Sequence, residues 1–335
     1  MKETISIVSV IIGALVGAGF ASGQEIFSFF YSYGEKGIYG ILIMSGLIGV
    51  LIYRSLKIIY KNDIYNYEDF LRLFIKNQKI RKIICMIINI LLLISFFIMI
   101  AGFGAYFEQE IGVNKIIGSI ILDILCIIVF FSDVKGVLKT SDFIVPFLVF
   151  FIIVIGIKNI AEMQTIEFYK VKNNWILSSI IYNSYNFILL VPVLISLKKQ
   201  IKTEKNIKYI SILSTIIITI LSFVIFFLLA KVNVLEIKNQ EMPVVYIISK
   251  YFAKYKKIYA FIILASIFTT AISVGIGFIQ NIAKSRTSYP HIVLFMCITS
   301  LLVSNFGFSK LVNLIYPIFG YLGIIQIVVI LFVLK

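Results

Sequence analysis

Ten long apolar runs follow one another along the chain, at roughly 4–32, 37–59, 83–107, 114–131, 143–160, 175–197, 208–230, 258–283, 289–305 and 309–334. Each is close to the roughly 20 residues a helix needs to cross hydrocarbon. Inside a bilayer every backbone N–H and C=O must be satisfied by the protein itself, which leaves helices or a closed barrel. Barrel strands are about 10 residues of alternating polarity, whereas these runs are continuous and rich in Ile, Leu and Phe. The expected fold class is therefore an all-α polytopic membrane protein of about ten transmembrane helices. Composition leads to the same place. The chain is 60% hydrophobic and 14% charged, and its mean hydropathy is +1.03. A soluble domain of this make-up would expose apolar patches far larger than soluble monomers tolerate.

The formal net charge is +15, but the lysines lie between the apolar runs rather than on one soluble face. That distribution points to topology and to anionic lipid headgroups, not to nucleic acid. With the N-terminus inside, the inner segments hold the larger share of the 31 Lys and Arg, including the groups at 54–82 and 198–208. Both termini are thus expected in the cytoplasm. Heavy Ile and Lys use suits an AT-rich bacterial genome, hence a bacterial cytoplasmic membrane. Lys2 followed by apolar residues could open a signal peptide. The run continues through Phe27, Phe29 and Phe30, however, and is expected to be the first span. No Ser/Gly-rich linker divides the chain, so one transmembrane domain is expected over 1–335, its halves at about 1–165 and 166–335. Residues 61–82 carry apolar positions at helical spacing and six basic residues from Lys61 to Lys82, expected as a cytoplasmic amphipathic segment. The loop at 231–257 is expected outside, with a short helix opening at Pro243.

Spans one and six differ from the rest. Span one carries Gly13, Gly17, Gly19 and Gly23 within eleven residues. Glycine costs about 1 kcal/mol per helical position relative to Ala, so this is the weakest helical stretch, and it lies at mid-membrane. Unwound backbone at that depth is tolerated only where it lines a cavity or binds something. Span six carries Tyr182, Asn183, Ser184, Tyr185 and Asn186, whose polar groups favour the protein interior and compete for backbone hydrogen bonds; Pro192 follows. Both helices are expected to be broken at mid-membrane. Spans one and six of ten are corresponding members of two five-span halves. Five being odd, the second half inserts inverted, and paired interruptions of this kind point to a transporter site. The substrate-binding candidates are Gly17, Ala18, Gly19, Phe20, Ala21, Ser22 and Gly23 with Tyr182, Asn183, Ser184, Tyr185 and Asn186. The competing reading is tight helix packing, because Gly13/Gly17 and Gly19/Gly23 fit small-xxx-small spacing.

Glu25, just beyond the glycines, is an intramembrane carboxylate suited to coupling or gating. It could carry a proton, contact a cationic substrate group or close an outer gate, or it could be a hydrated surface acid. Asp123, mid-span four, is expected to hold a Ser or Tyr of another helix. His291 beside Pro290 reads as interfacial. Phe20, Tyr182, Tyr185 and Tyr316 could wall a small pocket. Cys85, Cys126 and Cys297 lie in apolar spans and read as buried packing residues. No nucleophile–base constellation or metal spacing appears, so an enzyme and a bound cofactor are not expected.

The stretch Gly17-Ala18-Gly19-Phe20-Ala21-Ser22-Gly23-Gln24-Glu25 resembles the YkvI-like family of bacterial membrane proteins. The ending Ile315-Tyr316-Pro317-Ile318-Phe319-Gly320-Tyr321-Leu322-Gly323 is similar to that family's last span. More distantly, Gly17-Ala18-Gly19-Phe20 is similar to the Gly-Ser-Gly-Ile-Phe signature of the amino acid–polyamine–organocation superfamily, with Ala in place of Ser. The resemblance implies a LeuT-like fold of five plus five inverted helices, with substrate between spans one and six. It also implies a candidate Na⁺ site from span-one carbonyls and span-eight hydroxyls, here Val16, Gly19, Ser266, Thr269 and Thr270. Those hydroxyls could equally bond their own helix.

The function expected is secondary active transport: cation-coupled import, with Na⁺ or H⁺, of an amino acid or similar small zwitterion by alternating access. The partners would be that small-molecule solute and the lipid bilayer, with the oligomeric state left open. A transport-inactive sensor or accessory subunit would share the same sequence features. A channel would instead need a continuous polar stripe along several spans.

Overall fold

The computed structural model describes residues 2–161, 168, 172–238, 240, 242–283, 285, 287–303 and 308–333. The first span is interrupted: α1 (Lys2–Leu15) is followed by one-turn α2 (Ala18–Ala21), then α3 (Gln24–Ile26) running into a π-helical turn, Phe27–Tyr31. The next four crossings are α4 (Lys36–Lys61), α6 (Gln78–Tyr106), α7 (Lys115–Phe130) and α8 (Asp133–Ala161), with short α5 (Tyr67–Arg72) between the first two of them. The second set is α9 (Trp175–Ser196), α10 (Glu204–Leu229), α13 (Lys256–Ile282), α14 (Ser288–Val303) and α15 (Phe308–Val328), the last extended by a π turn to Val333. Between α10 and α13 lie α11 (Val234–Ile237) and α12 (Pro243–Tyr251). The expected boundary between the halves, near 165 and 166, lies outside the described residues.

Local chemistry sets these boundaries. Asn side chains cap the starts of α5, α6 and α7: Asn66 accepts from Asp69 N–H (2.8 Å), Asn77 from Lys79 N–H (2.9 Å) and Asn114 from Ile116 N–H (2.9 Å). Such caps satisfy donors that a helix leaves orphaned. Pro243 opens α12 at the position where its missing N–H costs nothing. The segment at 61–82 is less helical than its spacing predicts. Only Tyr67–Arg72 forms a surface helix, and from Gln78 the chain already belongs to the next span.

Burial sorts the helices. In the most apolar stretch of α13, 89% of residues are buried inside the protein, and 72% in α9, against 33% in α8. Thus α13 and α9 are central, packed around α1, while α7, α8 and α14 are peripheral. Large side chains such as Ile128, Phe143, Phe150, Ile298 and Leu302 stand exposed on those outer helices. That is where an all-apolar helix meets lipid. Among the described residues, six helices are individually long and apolar enough to cross a membrane.

One expectation is overturned. Span six is not broken: α9 is continuous from Trp175 to Ser196, through Tyr182–Asn186 and Pro192. The polar side chains serve the helix rather than competing with it. Asn183 Nδ2 donates to Ser179 O (2.9 Å), Asn186 Nδ2 to Tyr182 O (3.0 Å) and Ser184 Oγ to Ile180 O (2.7 Å). Each of these amides or hydroxyls finds an acceptor one turn back, so the three side chains leave the helix intact; the N–H that Pro192 lacks does not interrupt it either.

Candidate functional site

The break in span one has a definite chemistry. The helical ladder of α1 closes with Val16 N–H to Ile12 O at 2.8 Å. Gly17 then turns extended (φ −86°, ψ −168°), and the next bond of the ladder, to Gly13 O, is not made by the backbone. The Thr270 hydroxyl of α13 donates there instead, at 2.7 Å. The close approach needs small residues: a Cβ at Gly17 would stand 3.2 Å from Thr270 Oγ1, and one at Gly13 would stand 3.1 Å from Thr269 Cβ. The packing reading of these glycines and the break therefore hold together.

A second bend follows at Gly23, in the left-handed region (φ +80°), which a residue without Cβ adopts freely. The carbonyls freed around it are capped from outside span one. Tyr259 of α13 donates to Ala21 O (2.6 Å), and Val244 N–H of α12 donates to Ser22 O (2.9 Å). Freed backbone groups at membrane depth are thus re-satisfied by neighbouring elements.

Beyond Gly23 the chain folds Glu25 back onto Gly19, where a Cβ would come within 2.9 Å of Glu25 Cγ. Glu25 is 6% exposed. Its carboxylate accepts a hydrogen bond from the Tyr185 hydroxyl. The Tyr185 ring stacks on Tyr316 of α15 at 5.0 Å and 15°, and Tyr182 and Phe29 also pack against it. Glu25 also lines a narrow, largely enclosed cavity with Ala14, Leu15, Gly17, Ser95, Met99, Tyr185, Asn186, Leu189, Leu190, Thr270, Val274 and Tyr316. Its free volume is about 30 Å³, room for roughly one or two waters and not for an amino acid.

The expected binding residues divide accordingly. Gly17, Tyr185, Asn186 and Glu25 line the cavity, as does Tyr316. Ala18, Gly19, Phe20, Ala21, Ser22, Gly23, Tyr182, Asn183 and Ser184 do not; they are buried around it. Ser95, Met99, Leu189, Leu190 and Val274 were not singled out by sequence, since a Ser or Leu within an apolar run carries no mark of its face.

Of the expected ion ligands, Thr270 reaches Gly13 O rather than Gly19 O, which accepts from Ser22 Oγ (3.2 Å). Thr269 Oγ1 donates to Ser266 O (3.1 Å), and Ser266 Oγ to Ile262 O (2.8 Å). The donors gathered at this α1–α13 contact are hydroxyl and carbonyl oxygens, which suit a hard monovalent or divalent cation rather than a soft metal. No group of three His, Cys, Asp or Glu assembles among the described residues.

Away from the cavity, Asp123 accepts from Ser300 of α14 at 2.8 Å, as expected of a buried acid bridging two peripheral helices. His291 is exposed, with Nδ1 3.0 Å from Thr287 O. Cys85, Cys126 and Cys297 are free thiols.

The chain has the fold of solved LeuT-type membrane transporters. MhsT, solved in complex with L-phenylalanine, matches with a TM-score of 0.72 over 97% of this chain and 88% of its own, at 15% identity. Mhp1, a nucleobase-cation-symport-1 family transporter solved closed with bromovinylhydantoin, matches at 0.61 over 97% and 75%, at 9% identity. The manganese transporter of Eremococcus coleocola matches at 0.60 over 98% and 77%, at 13% identity. In sequence, the chain is similar to two Bacillus subtilis (strain 168) proteins. The uncharacterized membrane protein YkvI is 27% identical over 322 residues, 94% of this chain and 91% of that protein. The uncharacterized protein YyaD is 27% identical over 330 residues, 96% and 94% of the two lengths. No family model matches. The resemblance to YkvI-like membrane proteins thus runs through nearly the whole chain.

Proposed function

We propose that the chain is a secondary active transporter that moves a small, amino-bearing solute across the bacterial cytoplasmic membrane, coupled to a cation, with both termini in the cytoplasm. The observation that carries this reading is the break at Val16–Gly17. It places unwound backbone, the Thr270 hydroxyl and the Glu25 carboxylate around one enclosed cavity at mid-protein. The enclosed cavity corresponds to an occluded stage of alternating access. Opening requires the outer half of span one and α12 to part from the rest, or the Leu15, Leu189 and Leu190 side to part on the opposite face. The oxygens at Gly13, Thr269, Thr270 and Ser266 are the proposed Na⁺ ligands, and the ion's charge would order the broken backbone before solute binds.

The test is thermal stability of the purified chain against a panel of amino acids and related amines, in Na⁺ and in K⁺. A ligand of the folded state at a hundredfold excess over Kd stabilises by about 2.7 kcal/mol. A shift that needs Na⁺ supports transport with this ion site. A Na⁺-independent shift moves the coupling to protons. No shift with any solute refutes the transporter reading in favour of a sensor or accessory subunit.

A further inference from the structure

We infer that the solute held in the central cavity is a small primary amine, bound through its ammonium group on Glu25 and without need of a carboxylate. The inference rests on reading the cavity as the transport site and narrows it to one chemical class.

The polar inventory of the cavity is one-sided. Glu25 brings a carboxylate that is 6% exposed. Its hydrogen-bond donor is the Tyr185 hydroxyl, and no basic side chain lines the cavity. A carboxylate removed from water is stabilised by a compensating positive charge, or else takes up a proton, and the cavity walls supply no such charge. Ser95, on the facing helix α6, is 4% exposed, and its hydroxyl has no hydrogen-bond partner. Asn186 spends its amide nitrogen on Tyr182 O (3.0 Å), which leaves the amide oxygen as an acceptor. Carboxylate, hydroxyl and amide oxygen together match the three N–H donors of an ammonium.

The same inventory is poor for a carboxylate. No Lys, Arg or His lines the cavity, and a second carboxylate beside Glu25 would repel it. The rest of the wall is Leu15, Met99, Leu189, Leu190 and Val274, suited to a short hydrocarbon body. With about 30 Å³ free, the occupant is small and must be admitted by movement of these side chains.

The experiment uses the full chain purified in detergent and compares three molecules of one carbon skeleton: isobutylamine, valine (the same amine with a carboxylate) and isovalerate (the acid without the amine). A ladder of primary amines from methylamine to hexylamine covers size. The expected result is a concentration-dependent rise in Tm with at least one amine of the ladder, a smaller rise or none with valine, and none with isovalerate. In Glu25→Gln the apparent affinity for that amine should fall by roughly 30-fold or more. Ser95→Ala, which leaves the carboxylate in place, should weaken it several-fold. A shift with valine and not with any amine overturns the inference while leaving the transport reading intact. No shift with any amine, or an undiminished shift in Glu25→Gln, overturns it as well. The amine–valine comparison needs no variant, so it decides the matter even where Glu25→Gln fails to fold.

Discussion

Substituting Gly23 with Ala probes the second bend of span one. Two costs add. At φ +80° a Cβ meets the following carbonyl, at roughly 1–2 kcal/mol. The new methyl also collides with Val244 Cγ2 and stands 3.4 Å from Leu229 Cδ2, and overpacking of this kind costs about 1–3 kcal/mol. Ala's smaller unfolded-state entropy returns roughly 0.4–1 kcal/mol. The net destabilisation is therefore on the order of 2–4 kcal/mol. Thermal melting can be followed with a thiol-reactive fluorophore, because Cys126 and Cys297 are free and buried in the fold. Val244→Ala in the Gly23→Ala background should recover the steric part and leave the backbone part. Gly23→Asn keeps the steric burden but tolerates the backbone better, so it should separate the two costs from the other direction. A Gly23→Ala chain that melts with wild type, or one that Val244→Ala fails to rescue at all, would refute the seating of α12 on span one.

Other outcomes follow from single contacts. Thr270→Val leaves Gly13 O without the donor it has at 2.7 Å; it should cost about 1–3 kcal/mol and erase any difference between Na⁺ and K⁺ in solute-induced stabilisation. Ser300→Ala strands Asp123, which it holds at 2.8 Å, at about 1–3 kcal/mol in thermal melts. Replacing both members by apolar residues should recover most of that loss, because only a one-sided deletion leaves a buried group unsatisfied. On the face that carries Lys2, Asp63 pairs with Lys198 at 2.6 Å and raises the pKa of that ammonium, chiefly through the hydrogen bond. A raised lysine value means that the pair's stabilisation is full below about 10.4 and lost only as pH rises through the higher value. Asp63→Asn should therefore lower Tm equally at about pH 6 and about pH 9; a difference between the two would contradict the assignment.

The order and number of spans were readable because continuous apolar runs have few other solutions. The break in span one was readable for a similar reason: four glycines in eleven residues leave a helix little to lose by opening. Span six misled because Asn and Ser read alike whether they break a helix or donate to it. With the backbone already helical, Asn183 and Asn186 found acceptors four residues back, and no residue type distinguishes the two outcomes. Glu25 was visible as an acid at membrane depth, but its partner Tyr185 is 160 positions away, a distance only the fold closes. Ser95 and the leucines of the cavity wall were invisible, since which side of an apolar helix faces inward is decided by its neighbours.

The two halves of the chain are unequal in one respect: the first of the five leading spans has a joint at Gly17, whereas α9, the first of the last five, runs on without interruption. Two halves can exchange shapes evenly only if both can bend at the same depth, and the joint at Gly17 has no counterpart in α9. Were the chain to work as the proposed carrier, its two open forms would arise by exchange between unlike halves and would differ in free energy even without solute or gradient. That lean would set the side from which solute is first accepted, and a coupled cation would act with it or against it on every cycle.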